Sequence, residues 1–385
     1  MKIAHIADIH WGLGYPGPTP SARFDDICHV MNWAADKIIA EKCDLVIVAG
    51  DMFRKADIAL EKASREIIAC AAWLRKITGA GIEIIIISGT PSHDPASAYA
   101  LLQDYQMPLV SIATEPKSFK SKKGFTIACV PGMDRSNFVA RDEYRGLPAH
   151  EVHQKMTEYI TEVCQVTKQD DNRPNILVGH FTYDLADTGF QDVLMQQEAI
   201  LTQEAVQGYD LVCLGHIHRP QQNDNVFYAG SPERLSFNDE NVDAGFWIHH
   251  WNGRAFYSKF IETPARVYTT LQLSEGDINY FINGDLDFLD PYMGIRDGIV
   301  RVHYKCSEAL NKQLNRRTLE KALYDAGAFF VAEIKGDIER ADRARDEEVT
   351  EALTPVEAVK KWAANQDIPE GEITELVAMT AQLLE

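Results

Sequence analysis

"KIAHIADIH" fills residues 2–10, and the way it ends decides how the rest of the chain reads. Its mostly apolar run suits a strand buried on both faces. The run then breaks into Asp8-Ile9-His10, an acid and an imidazole two residues apart, a spacing that puts both on one side of a strand. The construction recurs. "DLVIVAGD" (44–51) ends in Gly50-Asp51, "IEIIIISGTPSHD" (82–94) in His93-Asp94, "NILVGHF" (175–181) carries Gly179-His180, and "DLVCLGHIH" (210–218) ends in Gly215-His216-Ile217-His218. Helical patterns such as "DDICHVMNWAADKIIAEK" (25–42) fall between the strands. The alternation predicts an α/β fold with function gathered at the strand ends.

Working outward, strands continue without helices through "NVFYAGSPERLSF" (225–237), "AGFWIHHWNG" (244–253) and "AFYSKFIETPAR" (255–266). The first unit therefore spans 1–270. A β-α-β unit is expected over 271–336, from the strand "GIVRVHYKC", the helix "NKQLNRRTLEKALYDAG" ending at Gly327, and the strand "AFFVAEIKGDIE". The tail, 337–385, is charged and helix-prone, with Thr354, Pro355 and Glu357 forming a helix start. A chain of 385 residues suits this division into two domains and an appendage.

Apolar content of 45% and charged content of 25% are those of a folded globular protein. No apolar run reaches the length of a membrane span, and the first residues read as a strand rather than a signal peptide. Seven cysteines, with no C-x-x-C pair, point to a reducing compartment. The expectation is a cytoplasmic protein with no membrane attachment. The net charge of −19 argues against nucleic-acid binding in general, though an acidic metal cluster is neutralised once loaded.

Asp and His together suit Mn, Fe or Zn, and several such pairs at one sheet edge can hold two ions. The reading assigns Asp8, His10 and His218 to the first metal and His180 and His216 to the second, bridged by Asp51. Such a pair of ions activates water and draws charge from phosphoryl oxygens, which points to phosphoester hydrolysis. His93 is then placed to contact the phosphate or protonate the leaving oxygen, with Asp94 orienting its ring. The other seven of the twelve histidines, His5 and His249 among them, read as structural.

The motifs D-x-H, G-D, a G-N-H-D-like loop, G-H and G-H-x-H, in this order, resemble the calcineurin-like metallophosphoesterases. "ADIHWG" (7–12) with "ARFDD" (22–26), "CLGHIHRPQ" (213–221), "FYAGSPERLSFND" (227–239) and "KFIETPAR" (259–266) are similar to the SbcD branch, the exonuclease subunit of the SbcC–SbcD complex. The resemblance is dense over 1–270. It implies a four-layer β-sandwich flanked by helices, followed by a small β-α-β DNA-capping domain and C-terminal helices. It implies a nuclease of DNA repair or recombination using two Mn2+, with Mg2+, Fe2+ or Zn2+ as other possibilities. The expected activities are 3′-to-5′ exonuclease on duplex ends and endonuclease on single strands or hairpins. It further implies an SbcC-type coiled-coil ATPase partner, bound through 354–385, and a homodimer formed by helices near 24–40 and after His93.

One departure stands out. The family loop is Gly-Asn-His-Asp, whereas "SGTPSHDP" (88–95) has Thr90-Pro91-Ser92 between Gly89 and His93. Ser92 takes the asparagine's place as a candidate ligand, and its hydroxyl is a weaker donor than an amide oxygen. Arg219 and Arg234, beside metal-site motifs, are candidate phosphate contacts. Two other readings stay open: a phosphodiesterase or phosphatase for small molecules, and a non-catalytic scaffold that positions the ATPase.

Overall fold

A computed structural model describes residues 1–54, 64–91, 94–140, 144–169, 174–189, 199–290, 292–339, 353–364 and 368–383. Its centre is a pair of six-stranded sheets. The strands are β1 (Lys2–Ile6), β2 (Leu45–Ala49), β3 (Glu83–Ile87), β4 (Val110–Ala113), β5 (Lys117–Lys120), β6 (Thr126–Val130), β7 (Asn175–His180), β8 (Thr182–Tyr183), β9 (Ile200–Leu201), β10 (Leu211–Gly215), β11 (Gln221–Asn223), β12 (Val226–Tyr228), β13 (Gly245–Trp251) and β14 (Phe256–Glu262). The first sheet runs β14-β13-β1-β2-β3-β4 and the second β11-β12-β10-β7-β6-β5, with β8 and β9 a small separate pair.

Within each large sheet the four neighbouring strands that carry or flank the motifs are parallel. These are β1 to β4 in one, and β12, β10, β7 and β6 in the other. The remaining strands are antiparallel additions. Parallel pairing delivers the ends of β1, β2, β3, β6, β7 and β10 to one edge of the sandwich. That edge is where the motif residues follow.

The strand sequences show no polar alternation because both faces are covered. Ile3, Leu45, Ile47, Ile85 and Ile87 face the second sheet's Ile127, Cys129, Ile176, Val178 and Cys213. The residues between them, including Ala4, Val46, Val48, Ile84 and Ile86, face helices α1 (Pro20–Ala40), α2 (Ser64–Gly79) and α3 (Ala96–Asp104). On the far side, α4 (Arg135–Val139) and α5 (Ala149–Thr167) cover the second sheet through Phe138, Val152, Met156 and Ile160. This is the four-layer arrangement that the resemblance implies. Helix α1 starts at Pro20 because the Thr19 hydroxyl accepts the Ala22 N–H, and it buries Phe24, Ile27, Met31, Ala34 and Ile38 at helical spacing.

A third sheet has three parallel strands, β15 (Tyr268–Leu273), β16 (Ile299–Ser307) and β17 (Phe330–Glu339). The stretch 311–327, expected as one helix, is divided between α7 (Glu308–Gln313) and α8 (Arg316–Asp325), with α6 (Glu275–Ile282) before them. The break lies at Asn315, whose side chain accepts the N–H groups of Arg317 and Thr318 and so opens a new helix. Gly327, at φ +96°, ends it. Leu271, Val300, Val302, Leu319 and Leu323 form the core of this unit.

Beyond it, α9 (Pro355–Ala364) and α10 (Glu370–Gln382) pack on each other. Thr354 and Glu357 exchange side-chain-to-backbone bonds at the start of α9, a capping box as the sequence predicts. Among the described residues no helix is long and apolar enough to cross a membrane.

A buried charge network ties the first unit to its exit. Arg23, 0% exposed, donates to Asp26 at 2.5 Å, to Glu233 at 3.4 Å and to the Arg234 carbonyl at 2.7 Å. Arg266 bonds Asp26, the Asp297 carbonyl and, through its backbone N–H, Glu233, while its guanidinium lies 3.5 Å from the Phe329 ring centroid. Glu233→Ala leaves Arg23 buried with only part of its counter-charge. Urea unfolding should show a loss of roughly 3 kcal/mol, the low end for a broken buried pair because Asp26 remains.

Candidate metal centre

Asp8 and His10 do not sit on a strand, and neither do His216 and His218. Strand β1 stops at Ile6 and β10 at Gly215. Two-residue strand alternation therefore does not aim these side chains, contrary to the sequence expectation. Instead the backbone turns left-handed at Asp8 (φ 51°), His10 (φ 51°), Asp51 (φ 47°) and His216 (φ 94°). Non-glycine residues avoid this region, and its concentration at one edge marks a place where the surroundings enforce strain. The enforcing bonds are visible. Asp8 N–H donates to the Gly50 carbonyl at 3.1 Å, His10 N–H to the Asp51 carbonyl at 3.1 Å, and Trp11 N–H to Met52 at 2.8 Å. The two loops thus continue the pairing of β1 and β2 in kinked form.

Two groups of side chains result. Potential ligand atoms of Asp8, His10 and His218 lie within 4.8 Å of one another, as do those of Asp8, Asp51 and His180. Asp8 belongs to both. Asp51 also faces both sides, with Oδ2 3.8 Å from His10 Nε2 and 3.4 Å from His180 Nε2. Asp8, His10, Asp51 and His180 are all buried. His216 stands outside these three-residue groups, with its ring 5.3 Å from that of His180, and its backbone N–H donates to Asp8 at 3.0 Å.

The donor chemistry fits divalent cations. His180 Nδ1 donates to the Ala49 carbonyl at 2.8 Å, which orients the ring and leaves Nε2 facing Asp51. Asp51 Oδ1 accepts the Thr90 N–H at 2.8 Å, so Oδ2 is the oxygen turned to the imidazoles. His218 Nδ1 lies 3.5 Å from Asp239 Oδ1. Burial pushes the Asp8 carboxyl above its ordinary range. Burial alone would lower the His180 pKa, but Asp51 and Asp8 outweigh it and hold the ring protonated to about 10. The two carboxylates that favour a charged imidazole also favour a divalent cation beside His180 Nε2, which must lose its proton to bind one. A third group, His5, Cys213 and His249, closes on itself. The two rings meet at 3.4 Å, and their far nitrogens bond Leu214 O and Ser258 Oγ, as structural histidines would.

Ser92 and His93 lie outside the described residues, so the loop is seen only at its flanks. Asp94 is buried, and its carboxylate accepts from Phe53 N at 2.9 Å, Gly89 N at 2.7 Å and Tyr99 Oη at 2.5 Å. These bonds clamp the 88–95 loop onto the loop that carries Asp51. Arg234 donates to the carbonyls of Val242 and Arg266, which makes it a brace between segments, whereas Arg219 is exposed and pairs with Asp187 at 2.9 Å. Of the basic stretch, Lys120 to Lys123 lie at the other end of the strands, where Lys123 pairs with Asp44, whereas Lys117 starts β5 opposite Cys129.

The sequence reading missed two residues. Ser231 donates its hydroxyl hydrogen bond to the Asp8 carbonyl at 2.8 Å, and Asp239 faces His218. Both stand in "GSPERLSFND", whose likeness to a family motif was their only signal.

Close approach at this edge requires glycine. A Cβ on Gly89 would lie 2.1 Å from Asp51 Oδ1 and 2.2 Å from Asp51 N. Gly89→Ala should displace Asp51, weaken divalent-metal binding at least tenfold by titration calorimetry, and destabilise the fold by about 1–3 kcal/mol.

A second prediction concerns pH. Burial, with the nearby Asp51 charge, raises the Asp94 pKa to about 7 in the folded chain. Its stabilising contribution is therefore complete below the unfolded value near 4 and fades as pH rises toward 7. In metal-free protein the melting temperature of Asp94→Asn, measured relative to the parent, should rise between pH 4.5 and 8. A constant difference would refute the assignment.

Comparison with known proteins agrees with this geometry. Residues 1–220 match the family model described as calcineurin-like phosphoesterase. The chain is similar to the DNA double-strand break repair protein Mre11 of Aeropyrum pernix, 22% identical over 72% of this chain and 64% of the relative. It is similar to the SbcD component of the SbcCD nuclease of Staphylococcus epidermidis, 23% identical over 72% of this chain and 73% of the relative. It is also similar to Mre11 of Archaeoglobus fulgidus, 21% identical over 98% of this chain and 84% of that protein. The chain thus spans just under two thirds of the Aeropyrum protein and more of the others. With more than half its length matched by the family model and the motif residues gathered at one sheet edge, the chain belongs to the calcineurin-like phosphoesterase family.

Proposed function

We propose that this chain is a two-metal phosphodiesterase that cuts DNA, as the nuclease subunit of a repair or recombination complex. The observation that carries the reading is the pair of Asp/His groups sharing Asp8 at one edge of the sandwich. In this reading Asp8, His10 and His218 would hold one Mn2+ and His180 and His216 the other, with Asp51, which faces both His10 and His180, serving both. When bound, the ions activate water and draw charge from the phosphoryl oxygens. The chain's own groups do the rest. The Ala49 carbonyl and Thr90 N–H fix His180 and Asp51 before any ion arrives. His93 donates the proton to the leaving oxygen, and Arg219, swinging from Asp187, contacts a phosphate. Ser92 or a neighbouring oxygen stands in for the asparagine of the family loop.

Support for DNA over a small phosphodiester comes from the third sheet, a unit that hydrolysis of a small molecule does not need, and from the relatives' names. By the same reading, that unit, expected over 271–336 and beginning in the structure with β15 at Tyr268, caps DNA bound at the nuclease domain expected over 1–270. The helices within 337–385 bind a coiled-coil ATPase, and the chain dimerises.

The decisive comparison uses one preparation with Mn2+: linear duplex DNA against bis-p-nitrophenyl phosphate. The proposal expects duplex degradation from the ends. Hydrolysis of the small ester alone would assign a small-molecule phosphodiesterase, and hydrolysis of neither a scaffold. His93→Leu should abolish DNA cleavage while metal analysis still finds two Mn2+ per chain.

A further inference from the structure

The turn Ser236–Glu240 touches two parts of the molecule that otherwise serve different purposes. It contains a short 3-10 segment, Phe237–Asp239, closed by a capping box. Asp239 is 6% exposed, and its Oδ2 accepts the N–H groups of Leu235 at 2.9 Å and Ser236 at 3.1 Å. Those bonds fix the carboxylate. Its other oxygen, Oδ1, is the one that faces His218 Nδ1.

The next residue points the other way. Glu240 Oε1 accepts the Thr270 N–H at 2.6 Å, and Oε2 accepts the Thr270 hydroxyl. Arg301 Nη2 lies 3.7 Å from the same Oε2, and its Nε donates to Thr270 Oγ1 at 2.7 Å. Phe237 completes the grip. The Arg301 guanidinium sits 4.4 Å over its ring, and its edge meets the Tyr268 ring at 5.0 Å. Tyr268 and Thr270 belong to β15 and Arg301 to β16, both in the third sheet.

We infer that the Phe237–Glu240 turn couples the third sheet to the metal centre, with Asp239 as the positioning residue for His218 and Glu240 as the clasp on β15 and β16. The physical reason is the length of the link. Asp239 and Glu240 are adjacent, and a closed 3-10 turn cannot shift one without the other. A polymer that bears on the third sheet therefore moves His218, whereas a small phosphodiester reaching only the metals does not. The inference rests on the two-metal reading and deepens it by separating a DNA-sized substrate from a small one.

The test measures Mn2+ binding of the full chain by titration calorimetry and Mn(II) spin resonance. Thermal unfolding checks that each variant is folded, and duplex cleavage is assayed on the same samples. Asp239→Asn should weaken one of the two Mn2+ sites roughly 10- to 100-fold and leave the other unchanged. Thr270→Val and Arg301→Met, on the third-sheet side, should weaken that same site roughly two- to thirtyfold. Glu240→Gln should do likewise, and Glu240→Gln combined with Thr270→Val should be no worse than either alone, since both cut one link.

If the third-sheet variants are folded and bind both ions as the parent does, the coupling is overturned. If Asp239→Asn binds both ions normally, the positioning role is overturned too. A parent that shows this binding pattern but fails to cut duplex DNA would refute the DNA reading and leave the coupling standing.

Discussion

Two carboxylates, Asp8 and Asp51, are buried side by side at the end of an apolar sandwich, and the surrounding structure is arranged around that constraint. Like charges without water around them are unfavourable unless hydrogen bonds and opposite charges compensate. Here compensation comes from the backbone as much as from imidazoles. The His216 N–H serves Asp8, and the Thr90 N–H serves Asp51. Both donors lie just beyond strands of different origin, β10 in one sheet and β3 in the other. The site exists only because the two sheets bring parallel strands to a common edge.

The sequence displayed the motif residues plainly, because ligand types at strand ends are a local pattern. Runs such as "EIIII" could be placed as buried strands for the same reason. What it did not display was how the ligands are aimed. Asp8 and His10 look like neighbours on one strand face, yet each is turned by a left-handed backbone held in place by Gly50 and Asp51. Those partners lie more than forty positions away, so no local pattern reports them. The split between α7 and α8 was missed for the opposite reason: the periodicity of 311–327 is sound, but Asn315 competes locally with the helix by capping the next one.

The loop "SGTPSHDP" shows how a departure from a family pattern can leave the surroundings intact. Gly89 packs on Asp51, Thr90 donates to it, and Asp94 accepts from the backbone of Gly89 in its own loop and of Phe53 in the loop that carries Asp51. The framework that sets the loop against Asp51 therefore does not depend on an asparagine. Asp94, expected beside His93, directs its observed hydrogen bonds to Phe53, Gly89 and Tyr99, which makes it part of that framework.

The left-handed backbone at Asp8, His10, Asp51 and His216 also limits how this site can vary, in experiment and in descent. Replacing any of the four with alanine removes a side chain and at the same time places a residue with little tolerance for positive φ at a kinked position, so two effects are read as one. Asparagine enters the left-handed region more readily than most residues, because its short polar side chain can bond locally. At Asp8 and Asp51 it also preserves shape while removing charge. For these positions asparagine isolates ligand chemistry, and β-branched residues are the replacements the backbone itself resists.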